Sequence, residues 1–226
     1  RGIWACQHEG MAPTKTTNQP FLKMRKFTTA GLLLIAVIAL ACSPVLPRPD
    51  SWAQPLSLPG APNLFKISDD LYRSAQLDTT GMKNIKQLGI RTVINLRSFH
   101  SDQDELGSTG LAREHINMSA WHPEKEEAVR VLTIVTDSAR TPVLVHCQHG
   151  SDRTGAMCAV YRVAVQGWSR EEAIREMTRG GFGFHQIFAN LPIWIRVMDM
   201  GQIRKEAGIT VKPAPAALEL NTLQTK

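Results

Sequence analysis

The run Pro142-Val143-Leu144-Val145 constrains the fold of this chain more than any other stretch. It is short, β-branched and bounded by a proline, and no polar residue interrupts it. Such a run is a strand that must be buried. Beyond it, Thr154–Gln166 places Met157, Val160, Tyr161 and Ala164 at helical spacing and stops at Gly167. Residues Cys147 to Arg153, "CQHGSDR", are therefore a tight turn from a buried strand into a helix.

The remaining elements alternate in the same way. Leu64–Ile67 and Leu71–Arg73 are short strands around the turn Ser68-Asp69-Asp70. Asp78 is placed to cap a helix that runs to Leu88 and stops at Gly89. Arg91–Leu96 is a strand, residues 98–110 a polar loop or weak helix, and Glu114–Met118 another strand. Pro123 opens a helix through Ala139 with Val129, Leu132 and Val135 on one face. Ser169 and Glu172 form a capping box for the helix Arg170–Arg179, and Asn190–Met200 is the last helix. The predicted fold is α/β, a mainly parallel central sheet flanked by helices. Sites in such folds lie at the carboxyl ends of the strands, and Cys147 directly follows one.

The N-terminal quarter has a different character. Arg25 and Lys26 precede the uncharged apolar core Ala30–Ala41, and Ser51-Trp52-Ala53 supplies small residues at −3 and −1 of a signal-peptidase cut. The apolar core is shorter than the ~20 residues a spanning helix needs. The expected organisation is an upstream extension (1–23), an export signal (24–53), a proline-rich linker (54–63), one folded domain (64–208) and a disordered tail (209–226). The expected location is the periplasm or the medium. Anchoring through residues 30–41, or through a lipid on Cys42, is the alternative. Of the formal charge of +6, residues 1–53 hold six Lys/Arg against two Asp/Glu. The domain is nearly balanced, so no nucleic-acid partner is expected, and no membrane contact beyond the export signal. A monomer is expected. Of four cysteines only Cys147 and Cys158 follow the expected cut, which is no disulfide framework. Cys158 has the position of a small core residue.

The turn has its own chemistry. When "CQHGSDR" curls, successive backbone N–H groups converge into an anion nest, and the helix N-terminus points at the same place. Gly150 supplies the backbone freedom for the curl. Arg153 adds a planar fork that matches two oxygens of a tetrahedral oxyanion. An anion held there lies against the sulfur of Cys147, and the same field favours a thiolate. A thiolate facing a bound phosphoryl group is a nucleophile in line for attack. The Thr154 hydroxyl is placed to donate to that sulfur.

"HCQHGSDRTG" matches the His-Cys-x5-Arg-Ser/Thr signature of cysteine-dependent protein tyrosine phosphatases. With "LYRSAQL", "LGIRTVINLR", "AVYR" and "VQGWSREEAIREMTRGGFG", the chain resembles the compact dual-specificity-like phosphatases that bacteria export. The resemblance spans roughly residues 64–200. It implies that Cys147 forms a phosphocysteine, that Arg153 binds phosphate and the transition state, and that the amides of Gln148, His149, Gly150, Ser151, Asp152 and Arg153 cradle the oxygens. It also implies that His146 orients the loop from behind. The substrate implied is a phosphorylated protein. A sulfurtransferase, or a phosphoprotein-binding pseudophosphatase without turnover, would use the same loop.

The general acid is where this sequence departs from the family, whose aspartate lies in a loop between a strand end and the next helix. Here that loop, "SAWHPEKEE" (Ser119–Glu127), contains none. His122 falls about where the aspartate stands and ranks first, Glu124 ranks second, and the third alternative is that no residue serves. Glu126 falls in the first helical turn, where an acid merely complements the dipole. Asp102 and Asp104 precede the wrong strand. The loop lacks the lysines of phosphoinositide-directed relatives, and Asp152, if it faces the opening, repels highly anionic ligands. Both points favour a singly phosphorylated substrate, phosphotyrosine first. Arg73 is placed at the site entrance or in a structural ion pair. Phe182 and Phe184 are core aromatics after a helix stop rather than a wall of the pocket. His115, His122, His146, His149 and His185 match no common ligand spacing, so neither metal nor cofactor is expected.

Overall fold

A computed structural model describes residues 48–210. The export signal expected over residues 24–53 lies outside them up to Pro47, and so does the expected tail beyond Thr210. Six strands make one mixed sheet in the order β1-β2-β3-β6-β4-β5. They are β1 (Gln54–Pro55), β2 (Phe65–Lys66), β3 (Leu71–Ser74), β4 (Thr92–Asn95), β5 (Ala112–His115) and β6 (Val143–His146). β3, β6, β4 and β5 run parallel, while β1 and β2 extend the β3 edge antiparallel. Val145 of β6 pairs with Arg73 on one side and Ile94 on the other. Val143 and Val145 enter one core and Leu144 the other. A strand buried on both faces has no polar face, which is why its sequence does not alternate.

Helices cover both faces. α1 (Thr79–Gln87) and α2 (Gln103–Leu106) bring Met82, Ile85 and Leu106 to the smaller core. The larger core is closed by α3 (Lys125–Val135), α4 (Asp152–Ala164), α5 (Arg170–Arg179), α6 (Asn190–Val197) and α7 (Met200–Glu206). Asp78 accepts from the Gly81 N–H at 2.8 Å, and the Ser169 hydroxyl accepts from the Glu172 N–H at 3.2 Å. These bonds satisfy donors that a helix start leaves free. Every residue of α4 except Arg153 is buried, as befits a helix enclosed by its neighbours.

The elements depart from sequence expectation at four places. β5 ends at His115, although Ile116 and Met118 are buried. The Ile116 N–H still donates to the Asn95 carbonyl of β4 at 2.9 Å, and beyond it the apolar pattern reports burial rather than strand pairing. α3 stops at Val135, where the Thr136 hydroxyl takes up the Leu132 carbonyl and Asp137 begins a turn. The single last helix is two, because Met198 is extended (ψ 138°) and Asp199 caps a new start by accepting from the Gln202 N–H.

The fourth departure is the N-terminal segment. Residues 54–63, expected as a linker, supply β1, pack Leu56 and Leu58 on the smaller core and bury Ala61. The six residues before them also belong to the domain. The Ala53 N–H donates to Glu176 Oε1 at 2.6 Å, and Glu176 is itself paired in a buried fork with Arg162. Arg48 donates to the Ala53 carbonyl and lies over the rings of Phe65 and Phe182. The domain therefore reaches back to Arg48 rather than starting at residue 64, and the expected cut after Ala53 falls inside packed structure.

Candidate functional site

The carboxyl ends of β3, β4, β5 and β6 deliver Ser74–Gln76, Leu96–Phe99, Ile116–Ala120 and Cys147–Arg153 to one edge of the sheet. Gly150 is where the turn meets its neighbour most closely. Its φ is +71°, and a Cβ there would stand 2.5 Å from the Ser74 carbonyl carbon and oxygen. Only glycine meets both demands. The outward-facing groups of the turn are tied down. Gly150 O accepts from the buried Arg73 guanidinium, Gln148 O from the Gln76 N–H, and His149 O from Asn63 Nδ2. Ser151 Oγ donates to the Phe182 carbonyl at 2.7 Å. By contrast, no backbone N–H from Gln148 to Arg153 finds an acceptor among the described residues. A run of unpaired donors at a helix N-terminus is an anion-binding concavity.

Cys147 lies at the base of this turn and is 2% exposed. Behind it, His146 is fully buried, with Nδ1 3.3 Å from the Cys147 carbonyl and Nε2 2.8 Å from Asp102 Oδ2. Gln76 donates to Asp102 Oδ1 and accepts from Arg97, so a hydrogen-bonded chain links the arginine of one loop to the cysteine of the next. Burial pushes the Asp102 carboxyl up, but its bonds to His146 and Gln76 prevail and hold it below the ordinary carboxylate value. The Thr154 hydroxyl, expected on the sulfur, is buried with no hydrogen-bond partner among the described residues. Cys158 is a core thiol that burial pushes up to about 11.

Arg153 projects from the first turn of α4, where Nη1 donates to the Leu96 carbonyl at 3.1 Å and approaches that of Met118 at 3.5 Å. It lines a cleft of about 330 Å³ with Arg97, Ser98, Phe99, Met118, Ser119, Ala120 and Gln148. Two guanidinium groups and no carboxylate border it, so the cleft suits an anion. Phe99 is fully exposed at its rim.

The structure thus brings Cys147, the turn amides and Arg153 together. His122 and Glu124 do not line the cleft. His122 is exposed two residues beyond Ala120, and Glu124 is the N-cap of α3, with its N–H donating to Glu127. The segment before them is held by Asn190, which donates to the carbonyls of Ala120 and Trp121. Asp152 does not face the opening. It is buried, and it accepts from the backbone N–H and pairs with the ring of His185. Among the described residues, Arg73 neither lines the cleft nor forms an ion pair. It is 1% exposed and stacks 3.6 Å from the Phe182 ring centroid. Phe182 is a core residue. Arg97, Gln76 and the partnership of Asp102 with His146 were not expected from sequence. Arg97 carried one usable signal, its position just past the end of a parallel strand.

A cysteine closing a buried parallel strand, an amide-lined turn and an arginine on the following helix define a cysteine-based phosphatase. A family model described as a DSP-PTPase phosphatase fused to NAD+ kinase matches residues 66–190, and the chain belongs to that phosphatase family. Among its relatives is the dual specificity protein phosphatase TpbA of Pseudomonas aeruginosa, 30% identical over 188 residues that cover 81% of this chain and 84% of TpbA. The crystal structure of TpbA superposes with a TM-score of 0.64 at 31% identity, over 72% of this chain and 99% of TpbA. A cysteine-to-serine variant of TpbA in complex with phosphotyrosine matches equally well, with a TM-score of 0.64 at 30% identity. The catalytic core of the PP-IP phosphatase SIW14 of S. cerevisiae, at 24% identity and a TM-score of 0.60, shares the fold.

Proposed function

We propose that this chain is an exported phosphatase that removes phosphate from tyrosine in proteins through a phosphocysteine on Cys147. The observation that carries the reading is the run of unpaired amides from Gln148 to Arg153 above a cysteine, with Arg153 at the cleft. The amides and the guanidinium hold the three non-bridging oxygens and favour the charge that builds on them. The thiolate sulfur attacks phosphorus as the bond to the phenolic oxygen breaks, and that oxygen takes a proton from a general acid. Water then attacks the phosphocysteine, releasing phosphate and restoring the thiolate.

Phosphotyrosine is favoured by the cleft's two arginines without lysines and by the exposed Phe99 ring at its rim. The TpbA complex with that ligand supports the same choice. His122 remains the first choice of acid because the loop that carries it contributes Ser119 and Ala120 to the cleft. Glu124 is second, since it is engaged at the start of α3. Export rests on Arg25, Lys26 and the apolar core Ala30–Ala41, with the cut upstream of Arg48. Ala39-Leu40-Ala41 offers small residues at −3 and −1 there. N-terminal sequencing of the native protein checks the cut. The catalytic reading is tested with Cys147→Ser, which should lose phosphotyrosine hydrolysis while retaining phosphate and vanadate binding. Turnover surviving in that variant rules the covalent route out.

A further inference from the structure

Beside the phosphate loop, three side chains converge that this reading leaves unused. His149 and His185 stand edge to face with ring centroids 5.3 Å apart, and Asp152 Oδ2 lies 2.8 Å from His185 Nδ1. One nitrogen of each ring and one Asp152 oxygen all lie within 4.8 Å of one another. We propose that His149, Asp152 and His185 form a binding site for a zinc-class divalent ion that clamps the phosphate loop to the Gly180–His185 loop.

The donor set is two imidazoles and one carboxylate, which prefers zinc and its transition-metal neighbours over magnesium or calcium. Bonds of about 2.0 Å to a tetrahedral ion place ligand atoms roughly 3.3 Å apart. The pair Asp152 Oδ2–His185 Nδ1, now 2.8 Å apart, must open slightly, and the His149 ring must swing inward. Both histidines are exposed and free to adjust. The backbone under them is fixed. His149 O is held by Asn63, the His185 N–H by Asp152 Oδ1 at 2.9 Å, and the two loops by the Ser151–Phe182 bond. Gly183, at φ +82°, lets the second loop pass Ser151. Three protein ligands leave a zinc ion one position for water or an anion. The other cluster of this kind among the described residues, His100–Asp102–Glu105, is already committed, because Asp102 is fully buried against His146 and Gln76.

The test uses untagged protein carrying Cys147→Ser, which removes a competing thiolate and makes the result independent of catalysis. Zinc is titrated against a chromophoric chelator, and cobalt absorption reports the coordination geometry. The expected result is one zinc per chain and a zinc-dependent rise in Tm. His149→Asn or His185→Asn, each added singly, should weaken binding at least about tenfold and abolish the rise in Tm. Two separate variants, each checked by circular dichroism, guard against one that fails to fold. Undiminished binding in both variants, zinc uptake only when Cys147 is present, or no uptake at micromolar zinc overturns the proposal.

Discussion

Replacing Gly150 by alanine puts one methyl group where the phosphate loop packs most closely against the end of β3. The new Cβ would meet Ser74 C and O at 2.5 Å and Ala75 N at 2.6 Å, all of them backbone atoms of a buried strand end. Carbon contacts relax only at about 3.5 Å, so the phosphate loop must retreat by roughly 1 Å. Alanine at φ +71° adds about 1–2 kcal/mol of backbone strain. The retreat also pulls the Gly150 carbonyl away from Arg73. A displacement of that size in a positioning element costs about a hundredfold in rate, or ~2.7 kcal/mol of transition-state stabilisation. The assay is kcat/KM on an aryl phosphate together with vanadate affinity, and both should fall while the fold persists. Gly155→Ala is the control. Its Cβ would meet side-chain atoms alone, Met177 Cγ at 3.1 Å with Arg73 Nη2 at 3.8 Å and Met177 Sδ at 4.0 Å in ordinary contact, so activity should stay within about threefold, as for a minor side-chain adjustment. A Gly150→Ala enzyme that also stays within threefold would refute the claim that close packing against Ser74 shapes the site.

Arg153→Lys should lower kcat/KM about a hundredfold or more without unfolding the protein, because an ammonium cannot supply the fork that reaches phosphate and the Leu96 carbonyl together. Steady-state kinetics beside circular dichroism checks it. The general acid is separated by leaving group: loss of the true acid should slow phosphotyrosine about 10²–10⁴-fold and spare an aryl phosphate with an acidic leaving group. Equal slowing on both substrates by His122→Ala removes it as the acid, and Glu124→Gln is then compared in the same way. Glu127, buried at the start of α3, has its carboxyl pushed up to about 7 by burial. Its folded state binds the proton more tightly than the unfolded chain does, so its contribution is fully favourable below pH 4.5 and is lost as pH rises through about 7. Glu127→Gln should therefore stabilise the protein at pH 8 by on the order of 1–3 kcal/mol and change it little at pH 4. Thermal melts at the two pH values decide it, and an equal effect at both contradicts the assignment.

The sequence by itself determined those features that depend on neighbours along the chain. A four-residue apolar run without alternation dictated a strand buried on both faces. The cap residues Asp78 and Ser169 marked helix starts that hold to the residue. "CQHGSDRTG" placed a nucleophile, a glycine turn and an arginine within seven positions, because an anion nest is built from consecutive amides. Whatever depends on residues distant in the chain was decided only by tertiary structure. Residues 48–63, proline-rich and without visible pattern, joined the domain because the buried Glu176 carboxylate accepts the Ala53 N–H and the β3 edge accepts added strands. Ile116 and Met118 had the pattern of a strand, but the ladder ends with the Ile116 N–H on the Asn95 carbonyl and Met118 only fills the core. Arg73, expected at the site entrance or in a structural ion pair, braces Gly150 from inside. Asp152 is drawn from the cleft by His185, 33 positions away, a pairing that no local spacing encodes. Periodicity and motif spacing report the local chain, whereas hydrogen bonds between loops depend on which strand ends the sheet order 3-6-4-5 brings side by side.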